Sequence, residues 1–101
     1  MVSGRFLDVD PALLRLPSSR HQGADPVKLA RHIARFGTSV TGMPTLEVTE
    51  AADGELVINN GVTRATRVAK FLPGQTVRVE VIERLPNWKV NEYPRVKDKL
   101  P

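Results

Sequence analysis

Alternation is sharpest from Thr76 to Ile82, where Val77, Val79 and Val81 fall on one side and Arg78 and Glu80 on the other. A period of two predicts a strand with one buried face. Shorter runs at Arg5–Val9, Leu46–Thr49 and Glu55–Ile58 read as strands as well. The last two are separated by Ala51-Ala52-Asp53-Gly54, whose Asp-Gly pair suits the positive-φ positions of a tight turn, so they are expected to pair antiparallel.

Two stretches carry the helical period instead. Asp25-Pro26 is a helix start, because aspartate accepts from free first-turn amides and proline tolerates the first helical position. From there Leu29, Ile33 and Phe36 form a predicted buried stripe, with Lys28, Arg31, His32 and Arg35 on another, basic face, and Gly37 ends the helix. The second helix is predicted over Val62–Phe71, with Ala65, Val68, Ala69 and Leu72 on its stripe and Pro73-Gly74 as its stop. The order strand, helix, two strands, helix, strand describes an α+β domain. Residues 1–86 are read as that domain and 87–101, which lack a sustained period, as a tail docked through Trp88.

Composition narrows the chemistry. A chain of 101 residues has room for one domain, and its few aromatics leave the core to aliphatic side chains. There is no cysteine, which removes disulfides, thiolate nucleophiles and zinc–thiolate sites and fits a reducing cytoplasm. Met1–Asp10 has no basic segment followed by an apolar one, and no apolar run approaches a membrane span. A formal charge of +4 favours acidic partners, nucleotide or nucleic acid among them. No metal or other cofactor is expected, since His21 and His32 are eleven apart and no carboxylates cluster with them.

The best candidate site is the strand-to-helix turn. Ile58 leads into Asn59-Asn60-Gly61-Val62-Thr63-Arg64, which combines free amides, a helix dipole, a hydroxyl and a guanidinium at one point. Gly61 lets a phosphate approach the backbone, Thr63 can donate, and Arg64 and Arg67, one turn apart, can grip the charge. A purely structural reading stays open beside it: Asn60 caps the helix, and the arginines pair with Glu47, Glu50 or Glu83.

The succession of signals resembles the N-terminal domain of ParB-type partition proteins, within the ParB/sulfiredoxin-like superfamily. The likeness runs from Leu14-Arg15-Leu16-Pro17-Ser18-Ser19-Arg20, through the helix at Asp25–Gly37 and Gly42-Met43-Pro44, to Ile58–Val81, and is clearest at Asn60-Gly61-Val62-Thr63-Arg64-Ala65. It implies a mixed sheet with two main helices, and a turn whose glycine and arginine, here Gly61 and Arg64, contact nucleotide phosphates. It also places Arg20 and the Gly42-Met43-Pro44 loop beside that turn. Val62 and Thr63 stand where the family usually has charged or histidine side chains.

Sulfiredoxin chemistry needs a cysteine beside the glycine, and this chain has none. The leading expectation is therefore a ParB-like domain binding a phosphate-bearing ligand, nucleotide or nucleic acid. One alternative is a ParB-like nuclease acting on DNA or RNA, for which His21, next to Arg20, is the candidate acid–base residue. Another is a non-catalytic protein-interaction module with a vestigial pocket, using the basic helix face.

Overall fold

The computed structural model describes residues 5–101. Met1–Gly4, the start of the segment read for a secretion signal, lie outside the described residues. Strands β1 (Arg5–Val9), β2 (Leu46–Glu50), β3 (Leu56–Asn60) and β4 (Val77–Arg84) form one sheet in the order β1-β4-β2-β3. β1 and β4 are antiparallel, as are β2 and β3, whereas β2 runs parallel to β4. The fold is thus α+β with a mixed four-stranded sheet and two helices, α1 (Pro26–Phe36) and α2 (Val62–Phe71).

Local chemistry accounts for the element boundaries. The side chain of Asp25 accepts from the Val27 amide at 2.8 Å and Pro26 follows it, so α1 begins where its cap stands. Between β2 and β3, Asp53 and Gly54 take φ of 62° and 76°. Those are the left-handed conformations that an Asp-Gly turn supplies at low cost.

The core lies between the sheet and α2. Leu46, Val48, Ile58, Val77, Val79 and Val81 meet Ala65, Val68 and Ala69, with Leu14, Leu16 and Val96 sealing the layer. Alanines at two of the three α2 positions leave room for the larger strand valines. α1 packs more loosely. Leu29 is buried and Ile33 half-buried, but Phe36, expected to complete that stripe, is 59% exposed because it sits at the last helical position, where the packed stripe has run out. His32 departs from the expected basic face too, being half-buried against α2.

Segment 87–101 is woven into the domain. Leu14–Leu16 runs alongside β3, with the Arg15 amide donating to Leu56 O and the Ile58 amide to Arg15 O, and Pro94–Val96 then pairs with the other side of that segment. Val96 belongs to the main core, while Val90 closes a second cluster with Ala51, Val57, Trp88 and Tyr93. Arg15, only 9% exposed, knits these parts together: Nε and Nη2 donate to Glu55, and Nη1 to the carbonyls of Asn91 and Tyr93.

Candidate functional site

β3 extends through Asn59 and Asn60, so the chain turns into α2 at Gly61 itself. Gly61 has φ of 118°, and a Cβ there would lie 2.6 Å from Leu46 Cγ. Both facts demand glycine. Among the described residues no side chain caps α2, so Asn60 does not take the capping role that the structural alternative gave it, and the positive end of the helix is open to a ligand.

Around this turn lies a cavity of about 360 Å³. Its walls are Asn59–Arg64 on one side, Pro17, Ser19 and Arg20 on another, and His32 on a third. A neighbouring cavity of about 370 Å³ is bounded by Phe36, Ser39, Thr41, Gly42, Met43, Pro44 and Arg67, and shares His32 and Arg64 with the first. The fold therefore gathers Arg20, Asn60, Gly61, Thr63 and Arg64 into one recess and puts Gly42, Met43, Pro44 and Arg67 in the next. His21 lines neither: its ring packs edge-on against Tyr93 at 4.8 Å.

The two α2 arginines differ in freedom. Arg64 Nη1 donates to the carbonyls of Pro44 and Thr45 at 3.0 and 3.2 Å, which ties the loop before β2 to the start of α2. Arg67 is 2% exposed; its Nη2 donates to Ser39 O at 3.0 Å and its Nη1 to His32 Nε2 at 2.9 Å, while its Nε has no partner among the described residues. Arginine is a donor only, so His32 accepts through Nε2 and carries its proton on Nδ1.

No ion pair among the described residues neutralises the arginines around the recess. Among the described residues, Arg5 and Arg84 pair with Glu50, Arg15 and Arg95 with Glu55, and Arg78 with Asp8, but Arg20, Arg64 and Arg67 have no carboxylate within ion-pair distance. Burial is the main cause lowering the pKa of Arg64, opposed by the more distant Glu47 and reinforced by Arg67; burial alone lowers Arg67. His32 is held below its ordinary value by burial first, then by Arg67 and Arg64.

No family model, curated protein or solved structure matches this chain.

The chemical reading consequently rests on the geometry. Open helix amides, the Thr63 hydroxyl and unpaired guanidinium groups form a setting for an anion. Among the described residues no three His, Asp or Glu side chains gather as a metal-ligand set, and no helix is long and apolar enough to cross a membrane. His32 is the residue that sequence reasoning missed. Its signal was its place on α1 between the buried Leu29–Ile33 stripe and the exposed bases, a boundary position facing whatever α1 packs against.

Proposed function

We propose that this chain is a cytoplasmic ParB-like domain that binds a phosphate-bearing ligand, a nucleotide or nucleic acid, at the turn between β3 and α2. The observation that carries the reading is the convergence of Arg20 and Arg64 beside an uncapped helix start, with Arg67 in the adjoining cavity and, among the described residues, no carboxylate paired to any of the three. A guanidinium withdrawn from water without an opposite charge is costly, and an anion in the recess offsets that cost. The Gly61 and Arg64 pattern supports the family likeness, and the absence of cysteine supports a reducing compartment.

In this reading the phosphate lies over the first turn of α2, taking hydrogen bonds from its free amides and from Thr63, with Arg20 closing the far wall. The test is thermal unfolding with inorganic phosphate and with a nucleoside triphosphate. A ligand that binds only the folded chain at 100 times its Kd adds about 2.7 kcal/mol. Arg20→Ala is the preferred variant, because among the described residues the Arg20 side chain makes no hydrogen bond or ion pair, whereas Arg64 also holds a loop. The expected result is a rise in Tm that shrinks in Arg20→Ala. An unchanged Tm at millimolar concentrations of both ligands would rule the reading out.

A further inference from the structure

The two layers of the domain differ in how their charge is arranged. The strands mix the bases Arg5, Arg78 and Arg84 with the carboxylates Asp8, Glu47, Glu50, Glu80 and Glu83, and pair several of them. The helices carry no carboxylate: α1 holds Lys28, Arg31 and Arg35, and α2 holds Arg64, Arg67 and Lys70. A helix with bases and no acids gains nothing from internal pairing and repels itself, so an external polyanion is its natural complement.

Position along α1 connects this charge to the recess. His32 lines the cavity at the β3–α2 turn. At 3.6 residues per turn, Lys28 and Arg35 lie about 40° and 60° round the helix from His32, with Arg31 about 100° round on the same side. All three are exposed, and none has a carboxylate partner among the described residues. The cations thus continue from the recess onto the outer surface of α1. At its far end Phe36 presents an exposed ring with the Arg35 guanidinium 5.3 Å from its centroid, a platform on which a nucleic-acid base can stack.

We propose that Lys28, Arg31 and Arg35 extend the anion site into a track for a single-stranded nucleic acid, with one phosphate seated in the Asn60–Arg64 turn and its neighbours along α1. This rests on the phosphate reading of the turn. A single strand fits better than a duplex, because a flexible backbone can dip into the recess and turn a base onto Phe36.

The experiment is fluorescence polarisation of labelled 12-nucleotide DNA and RNA strands between 50 and 200 mM salt, using the full chain. With three to five cations on phosphates, log K should fall against log salt with a slope of about −2 to −3.5. The triple reversal K28E/R31E/R35E changes only exposed residues. It should weaken strand binding about tenfold or more while keeping the Tm rise given by inorganic phosphate. Wild-type affinity in the reversal variant overturns the proposal, as does tighter binding of duplex or equal displacement by polyglutamate of matched charge. Phosphate stabilisation without strand binding would discard the track and leave the anion site standing; loss of both would discard the site itself.

Discussion

Arg67 Nη1 donates across 2.9 Å to Nε2 of His32, which joins α1 to α2 through a base that must stay neutral to accept. A protonated imidazole would turn a donor toward a donor beside two guanidinium groups.

Stability should therefore depend on pH through His32. Its folded pKa is depressed, by burial first and then by Arg67 and Arg64. The neutral form is thus favoured on folding: the contribution is fully present above the unfolded value of about 6.5 and is lost as pH falls below it toward the folded pKa. Tm measured from pH 7.5 to 5 should fall more steeply in the wild type than in His32→Gln, which keeps an acceptor but does not titrate. Parallel curves would show that the contact contributes nothing.

Gly61 should be the least replaceable glycine. An added Cβ meets Leu46 Cγ at 2.6 Å on a backbone at φ of 118°, while one at Gly54, φ 76°, meets open space. Gly54→Ala costs the left-handed backbone term, roughly 1–2 kcal/mol. Gly61→Ala adds overpacking of a fully buried leucine, a further ~1–3 kcal/mol. At roughly 4–8 °C per kcal/mol for a domain of this size, the two variants should separate clearly in Tm.

Glu55 accepts from Arg15 and Arg95 together, and its pKa is lowered chiefly by the Arg15 hydrogen bonds, against an opposing effect of burial. The sign is that of a paired carboxylate: the stabilisation is present above the unfolded pKa of about 4.3 and lost as pH falls through the folded value. Glu55→Gln should destabilise the domain at pH 7, and its difference from the wild type should shrink as pH falls below the unfolded value. Arg15→Ala should cost more, about 3 kcal/mol, since it leaves Glu55 half-paired and the carbonyls of Asn91 and Tyr93 without their donor. Urea midpoints at pH 7 and pH 3 measure both effects.

Features set by neighbours in sequence were legible without the structure. Asp25-Pro26 starts α1 and Asp53-Gly54 turns the hairpin because capping and positive φ are local properties. Gly61 could be read as a turn glycine, although its contact with Leu46 could not. Arg15 stayed invisible because its partners lie 40 to 78 residues away. His32 and Phe36 were misplaced since the spacing of a helix gives the relative angle of its side chains and not the reach of the helix packed against it. At Arg20 and His21 adjacency misled: the two side chains diverge, one lining the recess and the other packing on Tyr93.

The C-terminal segment offers the last test. Lacking periodicity, residues 87–101 read as a tail docked through Trp88 on a domain ending at Pro86. Yet Val90 and Val96 are each 1% exposed, and the Leu16 amide donates to Pro94 O while the Val96 amide donates to Leu14 O. Ending the chain at Pro86 uncovers Val57 and the underside of the Leu14–Leu16 segment and strips Arg15 of two carbonyl acceptors. Two buried valines contribute about 1.5 kcal/mol or more each, and a domain of this size has only about 5–15 kcal/mol in all. A chain ending at Pro86 should be largely unfolded at 37 °C by circular dichroism, and a peptide of residues 87–101 added in trans should restore part of its signal. A cooperative transition with wild-type Tm in the shortened chain would show that the segment decorates the fold without supporting it.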